Sequence, residues 1–252
     1  MNKQIVNTEL SYLKVFCKYY ETKEIIRFRD DDLKDMYSHN LTYIKHAKTT
    51  SEFKDCVEKE ISNCKAEGMT LLNIQFDFPY DESLLSQIEK KPDKIFTYDY
   101  YQFEKHGIHE LSAKDDCSIV KLDASHLKDG LTLDLEIDDD TEFATRRFNR
   151  RSRVYIEDNT LDNYLCFYKG RAIGHCDMFK NGQVIKLEDF DVSPKFQRKG
   201  FGTAILRYLI DSVISEDNII YLITDHNDTA RDMYTKRGFK CVGSGVQMLF
   251  RL

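Results

Sequence analysis

The clearest signal in the chain is the spacing of its apolar residues from about residue 117 onward. "SIVKLDA" and "NYLCFYKG" alternate as strands, with a helical stretch between them. After a Lys169-Gly170 turn, "RAIGHCDMF" reads as the hairpin partner of the second strand, and Asn181-Gly182 turns the chain into a third, "QVIKLEDFDV". Apolar residues at Ile205, Leu206, Leu209, Ile210, Val213 and Ile214 then form the stripe of a helix lying on a sheet. "NIIYLIT", nearly all apolar and β-branched, fits a buried central strand. A short helix over "NDTARDMYTKRG" follows, with Asn227 or Asp228 as N-cap and Gly238 as its left-handed stop. A last strand or hairpin begins at Phe239.

Upstream the pattern is weaker. "TSEFKDCVEKEISNCKAEG" reads as a helix ending at Gly68, and "MTLLNIQFDF" as a strand closed by Pro79. "DESLLSQIEKK" reads as a helix and "KIFTYDYYQFE" as an aromatic strand. The elements therefore read as α/β (α+β), in residues 116–252 and in a second α/β region of residues 1–115. Only three prolines occur, so no proline-rich linker marks the boundary.

Composition narrows the setting. An apolar fraction of 41% is enough to bury a core, and a net charge of −6 argues against a general nucleic-acid binder. The seven cysteines include no C-x-x-C pair, which suggests reduced thiols in a cytoplasm rather than a disulfide scaffold or a zinc site. No stretch reads as a signal peptide or a bilayer span. The acidic triplets at 30–32 and 138–140 lack calcium-loop spacing, and no metal is expected.

One turn asks for more than a connection requires. Gln197-Arg198-Lys199-Gly200-Phe201-Gly202 lies between a strand and a helix. A helix N-terminus carries unpaired N–H groups and about half a positive charge. Residues without side chains let a bulky anion reach those amides, and Arg198 and Lys199 add charge at the rim. A Walker loop is absent, and the dinucleotide fingerprint needs a third glycine where Ile205 stands.

The turn resembles the [QR]-x-x-G-x-[GA] pyrophosphate loop of the GNAT acetyltransferase superfamily. "NDTARDMYTKRGF", Asn227 to Phe239, is similar to that family's N-x-x-A-x-x-x-Y-x-x-x-G-F segment, about 25 residues downstream. The resemblance covers roughly Asp116 to Leu252 and implies there a mixed, mostly antiparallel sheet flanked by helices. It implies an N-acetyltransferase that moves an acetyl group from acetyl-coenzyme A to a primary amine by direct attack. Gln197, Arg198, Lys199, Gly200, Phe201, Gly202 and Thr203 would hold the coenzyme's pyrophosphate, the backbone of Phe190, Asp191 and Val192 its pantetheine arm, and Asn227 and Tyr234 the rest. The N–H of Val192 would face the thioester carbonyl, and Tyr234 would protonate the departing sulfur. For the base, Glu188 is first, acting directly or through water, and Asp189 is second; "LEDF" is similar to a strand of diamine acetyltransferases in which the glutamate lies at the acceptor amine.

Strand alternation puts Glu188 with Phe190 and Val192 on one face, and Asp189 with Asp191 on the other. His175 and Cys176 read as packed strand residues, "YDYY" at Tyr98 to Tyr101 as edge-strand packing, and Arg146 to Arg153 as part of a helical hairpin whose charges pair locally. The acceptor is a small-molecule amine or a peptide N-terminus, with no membrane or nucleic-acid partner, and a homodimer stays an open option. "MTLLNIQFDFPYDESLLSQIEK" reads as strand–turn–helix without the glycines, so the N-terminal region is a candidate degenerate copy of the same fold. The alternatives are a catalytically inactive acyl-coenzyme A-binding or regulatory module, and a nucleic-acid-associated regulator, which the acidic balance disfavours.

Overall fold

The computed structural model describes residues 2–47, 49–76, 78, 83–215, 217–228 and 230–252. The N-terminal half runs α1 (Lys3–Phe16), β1 (Lys18–Glu21), β2 (Ile25–Arg29), β3 (Leu41–Ile44), α2 (Thr50–Ala66), β4 (Leu71–Phe76), α3 (Ser83–Gln87) and β5 (Lys94–Phe103). The C-terminal half runs β6 (Cys117–Lys121), α4 (Leu127–Ile137), α5 (Thr141–Glu157), β7 (Leu161–Tyr168), β8 (Arg171–Asn181), β9 (Val184–Val192), α6 (Phe201–Val213), β10 (Ile219–Asp225), α7 (Ala230–Lys236) and β11 (Phe239–Arg251).

Local chemistry explains the boundaries. Asn2 Oδ1 accepts from the Gln4 amide at the start of α1, and Thr49 does the same for Glu52 at α2. Gly68 and Gly238 adopt positive φ just past α2 and α7, as expected of left-handed stops. Asp228 Oδ1 takes the Ala230 amide at 2.9 Å, so the N-terminal start of α7 is read correctly. Pro79, expected to close β4, lies outside the described residues.

The eleven strands of the described residues join one sheet, in the order β1-β2-β3-β4-β11-β5-β10-β9-β8-β7-β6. The sheet runs straight across residue 115. β5 is not an edge strand: it lies between β10 and β11, antiparallel to both, and Tyr100 is fully buried. β11, 13 residues long with a bulge at Val242, pairs with β5 along most of its length and with β4 over its last residues. Each half thus completes its sheet with the other half's last strand.

The two halves repeat one plan. β3 and β4 are parallel and joined through α2, as β9 and β10 are parallel and joined through α6. β2 pairs antiparallel with β3, as β8 does with β9. Helices α6 and α7 cover one face of the C-terminal half over Ile173, Met178, Leu187 and Leu222. Helices α1, α4 and α5 cover the opposite face over Leu161, Leu165 and Phe179. Helix α2 packs on Ile44, Leu72, Ile74 and the Met248 and Phe250 of β11.

Candidate active site

The parallel pairing of β9 and β10 runs from Val184 with Ile219 to Leu187 with Leu222 and then stops. Beyond it, Glu188 to Val192 pairs only with β8, and Ile223 to Asp225 only with β5. A cleft therefore opens between the C-terminal ends of two adjacent parallel strands. Its cause is a bulge: His175 opposes Asp191 and Asp177 opposes Glu188, so β9 carries one residue more than β8 between them. Asp189 takes φ 49°, a left-handed conformation that aspartate tolerates better than most residues.

The bulge corrects the expected alternation. Glu188 and Asp189 lie on the same face, toward α1 and α5, while Phe190 and Val192 turn to the α6 face with Leu187. Val192 opposes Gly174, and the next pair is hydrogen-bonded, the Ser193 amide donating to the Ile173 carbonyl at 2.8 Å. In an antiparallel ladder such pairs alternate, so the N–H and C=O of Val192 point away from β8 and into the cleft.

At one end of the cleft stands the start of α6. Gly200, its N-cap, has φ 86° and offers no side-chain cap. Arg198 is also left-handed, at φ 58°. A Cβ on Gly202 would lie 3.2 Å from Cζ of Phe190, so glycine lets the helix start close against the strand end. Gln197 Nε2 donates to the Val192 carbonyl at 3.0 Å and ties turn to strand. Lys199 bends back to the Lys195 carbonyl at 2.7 Å. The Phe201 ring is buried against Tyr168 and Phe196, so this residue can offer only its amide, and Thr203 is buried in the same helical turn. The matching turn before α2 is different, because Thr49 caps the helix with its own hydroxyl.

Tyr234 of α7 is buried beside Phe239 and Tyr101. Burial raises its hydroxyl above the ordinary phenol value, with Cys176 adding to the effect, so it remains a donor. That hydroxyl makes no hydrogen bond among the described residues. Asn227 is exposed in the turn after β10.

On the opposite face, a cavity of ≈ 290 Å³ is walled by both halves. Glu188, Lys186 and Asp225 come from the C-terminal half, and Tyr12, His39 and Tyr98 from the N-terminal half. Lys186 is buried between two carboxylates, 2.6 Å from Glu9 and 2.9 Å from Glu188, and Tyr221 donates to Glu9 at 2.5 Å. Although burial disfavours its charge, Glu188 and Glu9 together hold the Lys186 ammonium above its usual value.

Asp189 has a different setting. It lies 3.3 Å from Arg151 of α5, whose buried guanidinium also binds Asp177 and donates to the hydroxyls of Tyr12 and Tyr155, both at 2.8 Å. Burial works to raise Asp189, but Arg151 outweighs it and holds the carboxyl at about 2. Burial instead lifts Asp177 to about 6. The structure thus separates the two candidate bases: Glu188 lines the cavity and Asp189 anchors the wall. The arginine segment pairs only partly within its hairpin, at Arg147 with Asp134 and Asp138; Arg146 reaches Asp35, Arg150 reaches Asp30, and Arg151 enters the core. Lys186, Glu9 and Arg151 escape sequence reasoning, since each gains its role from a partner distant in the chain. His39 escapes it too, because nothing in the intervening residues announces that the chain returns it to Asp30, nine positions away.

Comparisons place this geometry. Residues 130–239 match the acetyltransferase (GNAT) family. A functionally unknown conserved protein from Staphylococcus epidermidis has a similar structure, with TM-score 0.80 at 20% identity, covering 94% of this chain and 95% of that one. A GCN5-related N-acetyltransferase from Kribbella flavida gives TM-score 0.71 at 11% identity, with 98% and 94% covered. A tandem GNAT protein from the clavulanic acid biosynthesis pathway gives 0.59 at 9% identity, with 97% and 94% covered. No curated relative matches the chain by sequence. The whole-chain likeness to a tandem protein fits the repeated plan of the two halves.

Proposed function

We propose, from the match of residues 130–239 to the acetyltransferase (GNAT) family, that this acyltransferase moves an acetyl group from acetyl-coenzyme A to a small primary amine. The observation that carries the proposal is the cleft between β9 and β10, which has the uncapped start of α6 at one end and the carboxylate-lined cavity on the far face. An anion-binding helix end and a cation-binding pocket that meet at one strand opening suit a coenzyme diphosphate and an ammonium ion.

Gln197 to Thr203 would hold the pyrophosphate through backbone amides, with Arg198 at the rim. The open N-cap and the side-chain-free approach at Gly202 support that fit. The coenzyme supplies an activated acetyl thioester. Val192 N–H would stabilise negative charge on its carbonyl oxygen, since a donor fixed in a strand end needs no reorganisation during the reaction. Tyr234 would give the departing sulfur its proton, and Glu188 would receive the acceptor's ammonium. A cavity roughly ten water volumes in size favours a small molecule over a protein surface.

We further propose that residues 1–115 and 116–252 are two copies of one unit that exchange their last strands. The matching order β3-α2-β4-α3-β5 and β9-α6-β10-α7-β11 supports this. The Thr49 cap leaves the first copy without a coenzyme cradle. Seven free cysteines, and no helix among the described residues long and apolar enough to cross a membrane, are in keeping with a cytoplasmic setting.

The test is thiol release from acetyl-coenzyme A across a panel of small amines, with Tyr234→Phe alongside. We expect release with one class of amine and a loss of about 10²-fold in kcat for the variant. Tight coenzyme binding without release for any amine would leave a binding module in place of an enzyme.

A further inference from the structure

One titratable group in the cavity wall has no part in the chemistry above. His39, in the loop between β2 and β3, is 2% exposed and lines the cavity. Its Nδ1 lies 2.9 Å from Oδ2 of Asp30, and its ring stacks on Phe16 at 4.7 Å and 25°. Its second ring nitrogen has no partner among the described residues and is not among their fully enclosed polar atoms, so it keeps accessible surface on a residue that lines the cavity.

The Asp30 side completes the device. Burial pushes its carboxyl up, but the His39 hydrogen bond and the charge of Arg150, 3.3 Å away, outweigh it and keep Asp30 ionised. The Asp32 amide donates to the same carboxylate at 3.2 Å, and Asn40 accepts from the Asp30 amide at 3.1 Å. Burial lowers His39 below the ordinary imidazole value, which makes it neutral near pH 7. An ionised carboxylate can only accept, so the imidazole hydrogen belongs on Nδ1 and Nε2 keeps a free lone pair.

Cys17 lies near this pair, and one ligand atom each from Cys17, Asp30 and His39 fall within 4.8 Å of one another. Their chemistry is not that of a metal site. Burial pushes the thiol up to about 12, it donates to the His39 carbonyl at 3.3 Å, and Arg150 already occupies Asp30.

We propose that His39, oriented by Asp30, is the general base of the transfer and takes the first proton from the acceptor's ammonium, directly or through one water. The inference rests on the acetyltransferase reading. Glu188, already engaged by Lys186, then binds the ammonium, while His39 removes its proton. The balance closes as follows. The ammonium gives one proton to Nε2. The free amine attacks the thioester carbonyl, a C–N bond forms and the C–S bond breaks. Tyr234 protonates the sulfur and is made good by the amine's second proton, and His39 releases the first to water. The products are an amide, a thiol and one proton.

The groups that set the charge around His39 are Asp30 beside β2, Cys17 after α1, Arg150 and Arg151 on α5, and Asp189 on β9. Across the cavity stand Glu9, Lys186 and Glu188.

The experiment compares the pH profiles of kcat/KM for wild type, His39→Gln, Asp30→Asn and Glu188→Gln with the best amine of the panel. His39→Gln should lose about 10²–10⁴-fold in kcat and the acid limb of the profile, with coenzyme affinity by calorimetry kept. Glu188→Gln should raise KM for the amine and leave the acid limb in place. Imidazole ¹⁵N spectra of the wild type should show His39 as the Nδ1–H tautomer and its Nε2 signal shifting when the amine is added, which holds even if a variant misfolds. An acid limb that survives in folded His39→Gln, or an Nε2 signal unmoved by the amine, overturns the proposal while the enzyme reading stands. No turnover by wild type with any amine overturns both.

Discussion

Glu9 of α1 and Lys186 of β9 meet at 2.6 Å, both almost out of reach of water and 177 positions apart in the chain. This pair fixes the helix that supplies Tyr12 to the cavity against the strand that supplies Glu188. Removing one partner of a buried pair leaves the other charge unsolvated, which typically costs about 3–5 kcal/mol. Lys186→Met should therefore lower the unfolding free energy by that order in urea titrations followed by circular dichroism. Glu9→Gln together with Lys186→Met should recover a large part of the loss. A single variant as stable as wild type would mean the pair adds nothing net.

The two glycines of the α6 turn should fail in different ways. At Gly200 a Cβ would meet nothing within 4 Å, but φ 86° is strained for alanine. Gly200→Ala should cost about 1–2 kcal/mol of stability and leave coenzyme affinity nearly intact. At Gly202 the strain is absent and the space is short, with Phe190 Cζ 3.2 Å from the new Cβ. Gly202→Val should weaken coenzyme binding by tenfold or more, on the order expected when backbone can no longer approach a ligand closely. Calorimetry and thermal melts on both variants separate the two effects; equal losses of affinity would contradict this division.

Acid should act on the bulge. Asp189 is held at about 2 when folded against an ordinary 3.8, a depressed value, so its contribution is full above pH 4 and fades as the pH falls toward 2. The loss amounts to about 2 kcal/mol. Asp177, raised to about 6, has the opposite sign, because the folded state takes up its proton first and gains stability between pH 6 and 4. Unfolding free energies of Asp189→Asn should be flatter than wild type between pH 4 and 2, and those of Asp177→Asn flatter between pH 6 and 4. Parallel curves for wild type and both variants would show that neither the Arg151 charge on Asp189 nor the burial of Asp177 shifts these carboxyls.

The α6 end of the cleft, where we propose that the coenzyme binds, was legible in the sequence, because its features sit in contiguous residues. Glycines at 200 and 202, the apolar stripe of α6, and Tyr234 before Gly238 all lie within one turn or one helix. The carboxylate-lined side was not. A bulge at Asp189 breaks the period of two, and nothing in "LEDFDV" announces which residue will turn left-handed. Arg151 looks like one more basic residue on a solvated helix until Asp177 and Asp189 arrive from other strands. β5 reads as an edge strand because both its neighbours, β10 and β11, lie more than a hundred residues ahead of it in the chain.

The exchanged strands also govern how the molecule comes into being. When β5 leaves the ribosome, neither of its neighbours exists yet, and an aromatic segment waits unpaired while the rest of the chain is made. β4 waits too, for the last residues of β11. Synthesis at 5–20 residues per second makes that delay on the order of ten seconds, long against hairpin formation. The α6 turn can form before β10 and β11 are made, but the cavity beside Glu188 closes only when those last strands are in place. The cost of this strand order is a pair of unpaired edges that stay open to aggregation until the last residues are made.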